Sequence, residues 1–207
     1  MNAQVTTTER NTILYYLFFI FVLPIILLYF DIIHKSWRMA VLTFCCVLIY
    51  GIIKKANWTK EELGLKVQNR KKFLLPYSIF TLIGVCSIIA LAKALGGEVT
   101  SLWWHTPHFW FLFVFVSYLQ EFAYRMFLIP ELSRIFPDKL GVILISGLLF
   151  ALLHIIYPVS FALVVFMFLG GMALSFMYMR YKDFWLIGLS HSIFNFVAVL
   201  FGFFVIH

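Results

Sequence analysis

Charge is what this chain has least of. Only 12% of its 207 residues are Asp, Glu, Lys or Arg, against 63% that are hydrophobic. Mean hydropathy is +0.98. A water-soluble domain of this length has no use for so much apolar surface. The scarcity therefore excludes a soluble globule and predicts an all-α, polytopic transmembrane helical bundle. Cysteine is scarce too. Cys45, Cys46 and Cys86 are the only three, all within apolar runs. With no C-x-x-C, they indicate neither a disulfide framework nor a thiolate metal site. No small-residue cleavage pattern closes the first apolar run, which is expected to be a retained span and not a removed signal peptide. The two halves share no repeat and no matching Gly/Pro-broken spans, which argues against a transporter. The net charge of +7 does not indicate a nucleic-acid partner, because the bases lie between apolar runs, where loop charges set topology.

What is present is a series of apolar runs. Spans are expected at 12–30, 39–53, 73–95, 109–132, 140–157, 161–178 and 184–206, about seven in all. Pro24 should kink or loosen the first. Trp37 and Lys54 can anchor the short second one. The division expected is an N-terminal two-span segment, 1–72, and a core bundle, 73–207. Lys54, Lys55, Lys60, Lys66, Arg70, Lys71 and Lys72 crowd the one long polar segment. With seven spans they share a face with Arg10, Arg134, Lys139, Arg180 and Lys182, against Lys35 and Arg38 opposite. The positive-inside rule then puts the N-terminus in the cytoplasm and the C-terminus outside. Within the polar segment, Thr59 followed by Glu62 reads as a helix start, predicting a short amphipathic helix at the membrane face. A solvated basic loop is the plainer reading. Trp103, Trp104 and Trp110 suggest an interfacial aromatic belt. Gly170, Gly171 and Ser175 read as a small-residue face for helix contact. Glu131, His105 and His108 are expected to be solvated.

A few polar residues interrupt the apolar runs. Gln120-Glu121-x-x-x-Arg125 lies inside the fourth, Phe150-x-x-x-His154 in the fifth and His191-x-x-x-Asn195 in the seventh. An ionisable group at mid-membrane costs about 2.5–3.5 kcal/mol on insertion scales. Glu121 and Arg125 are four apart and can pair on one helix face, which is the bland explanation. Three helices that each carry polar groups to such depth are better explained jointly, as one buried polar pocket. Upright helices would leave His154 and His191 roughly 10 Å apart in depth, so convergence needs tilt or shifted helix ends. A carboxylate, two imidazoles and an amide are the parts of a hydrolase: a base for water and donors for an oxyanion. Glu121, His154 and His191 are also a conceivable zinc set, although H-E-x-x-H is missing. General-base chemistry with no required cofactor is the favoured reading.

These three motifs, in this order and on separate spans, resemble the signatures of the CAAX-processing and bacteriocin-processing intramembrane proteases, the Abi family, which includes type II CAAX prenyl endopeptidases. The Glu-Glu-Leu-Gly-Leu stretch at 61–65 is similar to a segment that precedes the family's core. The resemblance implies that 73–207 is an Abi-like core and that the chain is an intramembrane endopeptidase of membrane-associated peptides or proteins. It further implies a prokaryotic plasma membrane location. In the family pattern a Glu and the first His activate water, the last His and the Asn stabilise the oxyanion, and the Arg orients the acidic pair. Gln120 occupies the position of the usual base Glu, and an amide cannot take up a proton at neutral pH. Three readings follow. Glu121 takes the role; or the chain keeps the fold without proteolysis and serves as a partner of another membrane protein; or Gln120 replaces a native Glu. The residues before and after do not choose among them.

Overall fold

The computed structural model of the chain describes residues 6–99 and 107–203, the side chains of 107–112 excepted. Among the described residues there are seven helical rods and no strand. The first rod is α1 (Thr7–Tyr16), a π-type turn (Leu17–Val22) and α2 (Leu23–Tyr29). Thr6 starts it with a capping box. Its hydroxyl accepts from the Glu9 N–H, and the Glu9 carboxylate accepts from the Thr6 N–H at 2.9 Å. The second rod is α3 (Arg38–Lys55) and the third α4 (Lys71–Ala94). The fourth is α5 (Pro107–Glu121), a second π-type turn (Phe122–Leu128) and α6 (Ile129–Ile135). The last three are α7 (Lys139–His154), α8 (Phe161–Tyr181) and α9 (Phe184–Leu200). Four rods are long and apolar enough to cross a bilayer: Thr7–Tyr29, Lys35–Lys55, Lys71–Ala94 and Phe161–Tyr181. This is a helical membrane bundle.

Both π-type turns have one physical cause. Pro24 and Pro130 each follow such a turn by two residues. Proline has no N–H to offer the carbonyl four residues back, at Ile20 and Met126 respectively, and its ring crowds that carbonyl. The preceding turn widens and the rod continues. The loosening expected at Pro24 is therefore a widened turn and not a break.

The short amphipathic helix expected after Thr59 does not form. The capping box itself does: Thr59 N–H donates to Glu62 at 2.7 Å and Glu62 N–H to the Thr59 hydroxyl at 3.2 Å. The Thr59 N–H and then its hydroxyl hold the Glu62 carboxyl below its usual range. The helix stops after one turn because Gly64 takes a left-handed φ of 64° and the Leu65 N–H turns back to the Lys60 carbonyl. Glu131 is another departure. It is buried, and Arg134 bridges it at 3.1 Å to Glu9 of α1 at 3.2 Å. A rod that runs on past Glu131 to Ile135 brings the carboxylate under α1 and out of solvent. The side chains of Trp103, Trp104, Trp110, His105 and His108, and residues 204–206 of the seventh run, lie outside the described residues.

Helices without a hydrophobic drive between them associate through close packing and hydrogen bonds. At the α7–α8 contact, Gly171 lets the backbones approach. A Cβ there would sit 2.9 Å from Phe150 Cβ and 3.1 Å from Gly147 Cα. Four residues on, the Ser175 hydroxyl meets the Ser146 hydroxyl at 2.9 Å. Gly170 has open space instead, so the small-residue face is Gly171 and Ser175. Gly171→Ala should cost about 1–3 kcal/mol through overpacking, read as a lower unfolding midpoint in detergent. Gly170→Ala should leave the midpoint unchanged. The largest buried cluster draws on the first two rods as well as the later ones, through Phe21, Ile49, Phe127, Leu132, Leu174 and Ile187.

Candidate active site

The polar residues of α5 fall on two faces. Ser117, Glu121 and Arg125 recur every four residues and are fully buried. Gln120 and Tyr124 share the adjacent face and line a different space. Glu121 is the hub of the first face. Its Oε1 lies 2.7 Å from His191 Nδ1 of α9, and its Oε2 lies 3.2 Å from Arg125 Nε. A carboxylate accepts, so His191 presents Nδ1–H to it and turns Nε2 away. The Arg125 contact is an ion pair by distance but is badly angled for a hydrogen bond, and Nε and Nη1 make none. Arg125 is held instead by the Phe150 ring, 5.0 Å from its guanidinium carbon, and by a long 3.5 Å contact from Nη2 to the Gly171 carbonyl. The π-type turn that houses Arg125 begins directly after Glu121, a setting typical of functional sites.

One turn away on α9, Asn195 Nδ2 donates to the Ser117 hydroxyl at 3.0 Å, and that hydroxyl donates to the Phe113 carbonyl at 2.9 Å. His154 is the last residue of α7. Its Nδ1 is 2.8 Å from the Phe150 carbonyl. A carbonyl only accepts, so Nδ1 carries the hydrogen and Nε2 the lone pair in the neutral ring. Phe150 touches both imidazoles, with ring centroids 4.8 Å from His154 and 5.5 Å from His191. His154, His191 and Asn195 line one cavity with Phe150, Gly170 and Phe194, with about 50 Å³ open to water centres. That is room for one or more waters, given about 10–15 Å³ needed for each and polar partners on the wall. The depth mismatch expected of upright helices is thus absent. Both imidazoles meet the Phe150 ring and line the same cavity.

Five of the six expected site residues come together: Glu121, Arg125, His154, His191 and Asn195. Gln120 does not join them. It lines a second cavity, on the side of Pro24, Arg38, Cys45, Leu153 and Tyr157, with about 70 Å³ open to water centres. The reason is helical geometry: adjacent residues point about 100° apart, and Glu121 takes the inward position. Among the described residues no three His, Cys, Asp or Glu side chains converge at ligand spacing. Three contributors were missing from the sequence reading: Ser117, Phe150 as the shared ring, and the Gly171 carbonyl. Ser117 was legible in principle, four residues before Glu121 on the same face.

The bundle thus brings a buried carboxylate–imidazole pair, a second buried imidazole and a part-buried amide to the neighbourhood of one cavity. Residues 102–197 match the family model described as type II CAAX prenyl endopeptidase Rce1-like. All six motif residues lie inside the matched stretch. The kind of function this supports is that of an intramembrane CAAX protease, embedded in membrane and acting on peptides or proteins. No curated protein and no solved structure matches the chain.

Proposed function

We propose that the chain is an intramembrane endopeptidase in which His154 activates water and His191 with Asn195 stabilises the oxyanion. The observation that carries this reading is the shared cavity of these three side chains, with Glu121 locked on His191 at 2.7 Å. His154 Nε2 takes a proton from a cavity water as the oxygen bonds to the scissile carbonyl carbon. The carbonyl oxygen, now negative, accepts from the second Asn195 N–H and from Nε2–H of a His191 imidazolium whose charge Glu121 balances. Collapse of the tetrahedral adduct breaks the C–N bond, and His154 returns its proton to the leaving amine. Glu121 acts through His191, as the orienting carboxylate of a triad does, and Arg125 offsets its charge. The topology that goes with this has the N-terminus and the basic segment in the cytoplasm and about seven spans.

A second reading rests on one observation: the position of the family's usual base is an amide facing the other cavity. On that reading the chain is a silent member that binds or regulates a membrane protein. A single comparison separates the two. Wild type and Gln120→Glu, each reconstituted in proteoliposomes, are offered a prenylated CAAX peptide and a membrane-peptide library. Our reading expects cleavage by wild type and a rate within about threefold in Gln120→Glu. Silent wild type with a Gln120→Glu variant that cleaves would move the base to position 120 and favour the second reading. A stoichiometric co-purifying partner with no cleavage by either would do the same.

A further inference from the structure

The polar segment before α4 is not a free loop. It lies as a strap across the turn between α8 and α9. Gly64 packs so closely there that a Cβ would stand 2.6 Å from the Lys182 carbonyl oxygen. The Tyr178 hydroxyl donates to the Leu63 carbonyl at 3.1 Å, the Phe184 N–H to the Gly64 carbonyl at 3.1 Å, and Trp185 Nε1 to the Leu65 carbonyl at 3.3 Å. Arg70 closes the strap with Nε 2.6 Å from Asp183 Oδ2. Asp183 is fully buried and is the N-cap of α9, its Oδ1 accepting from the Trp185 and Leu186 N–H groups at 3.0 and 3.1 Å. One carboxylate therefore joins the strap to the first turn of the helix that carries His191 and Asn195.

We propose that Arg70 and Asp183 are positioning residues for the site, with the strap setting the register of α9 against α5. His191 follows Asp183 by eight residues, about 12 Å along the axis. A slip of one residue at the start of α9 would turn the imidazole by about 100° and take it off Glu121. α9 is also held along its length by Gly188 against Tyr118 and by Asn195 on Ser117, and the fixed hydrogen bonds at Phe184, Trp185 and Leu186 add to these at its first turn. The strap supplies the bonds to the Phe184 N–H and the Trp185 ring and, through Arg70, holds the Asp183 carboxylate that caps Trp185 and Leu186, so a segment outside the bilayer-spanning rods bears on a buried contact. Lys182 shows the same economy of space: it adopts a left-handed φ of 48° so that its carbonyl meets the glycine.

The proposal concerns the site read above as a peptidase, and its test has a readout that does not need cleavage. The full chain is labelled with ¹⁵N-histidine in detergent micelles, and the strongly hydrogen-bonded Nδ1–H of His191 is identified by its loss in His191→Ala. Arg70→Ala should reduce that resonance by more than half with helix content unchanged by circular dichroism. Arg70→Lys, which keeps the charge, should restore it. Asp183→Asn, which keeps the cap and loses the ion pair, should behave as Arg70→Ala. Where wild type cleaves, kcat should fall about tenfold with KM within twofold, since the groups displaced act in the transition state. Persistence of the resonance in Arg70→Ala overturns the proposal, as does its absence from wild type. Loss of helix content in both Arg70→Ala and Asp183→Asn overturns it as well, making the strap a plain stability element. A resonance that responds as expected in a chain that cleaves nothing leaves the positioning role standing and removes the peptidase reading.

Discussion

Glu121→Ala is expected to destabilise the fold by about 3–5 kcal/mol, because breaking a buried ion pair strands the other charge. Arg125 has no exposure, and Nη1 already lacks a hydrogen-bond partner among the described residues. With the carboxylate gone, the Phe150 and Tyr124 rings and a 3.5 Å carbonyl contact are what hold the guanidinium among the described residues. The unfolding midpoint in detergent should drop accordingly, and cleavage should disappear because His191 loses the group that orients it. Glu121→Leu combined with Arg125→Met removes both charges with similar volume, and should recover most of the midpoint with none of the cleavage. That separation is the informative part. A double variant that folds and still cleaves would leave Glu121 as a structural charge only. A Glu121→Ala midpoint within about 0.5 kcal/mol of wild type would mean that water or lipid headgroups reach Arg125, contrary to its burial.

His154→Asn is expected to lower the cleavage rate by about 10²–10⁴ while the protein stays folded, the range typical of losing a general base. Asparagine can place its amide nitrogen near the position of Nδ1 and keep the bond to the Phe150 carbonyl, now 2.8 Å long. It has nothing at the position of Nε2. The substitution thus removes the proton acceptor and spares the contact that seats the ring. Initial rates on the peptide that wild type cleaves, beside a melting curve, make the measurement. More than a tenth of wild-type activity in His154→Asn would take the base role away from this residue.

The match at 102–197 includes His154, His191 and Asn195 of the cavity, and the family resemblance and the structure divide over position 120. The family resemblance predicts a base at Gln120, whereas the backbone turns that side chain toward Arg38 and Tyr157, away from both imidazoles. Glu121 gives Oε1 to His191 and leaves Oε2 3.2 Å from Arg125 Nε with no hydrogen bond among the described residues. In the proposed mechanism His154 takes the proton in the shared cavity, its Nδ1 lying 2.8 Å from the Phe150 carbonyl. The assignment thus rests on hydrogen-bond bookkeeping at two rings and not on motif order.

How much was legible beforehand varied with the physics of each feature. Membrane embedding follows from composition, because a chain this apolar and this poor in charge has no other solvent to fold in. Helix content follows with it, since backbone polar groups must be satisfied within each span. The pairing of Glu121 with Arg125 was readable from spacing, and the one-cavity reading from the cost of burying polar groups separately. Glu131 was not readable. Its place near a run's end suggested solvent, and only the path of α1 showed that Arg134 and Glu9 cover it. The strap was hidden for the same reason. Thr59 and Glu62 announced a helix start, but what Gly64 and Arg70 touch lies more than a hundred residues away at Lys182 and Asp183.

Sequence alone settled which side chains could not be left facing lipid: their transfer cost depends on residue type and depth, and both are written along the chain. Which of two neighbours, Gln120 or Glu121, meets His191 was decided only by the tertiary structure. That choice depends on the rotation of α5 against α9, and rotation comes from packing and from the strap at Asp183, not from local preference.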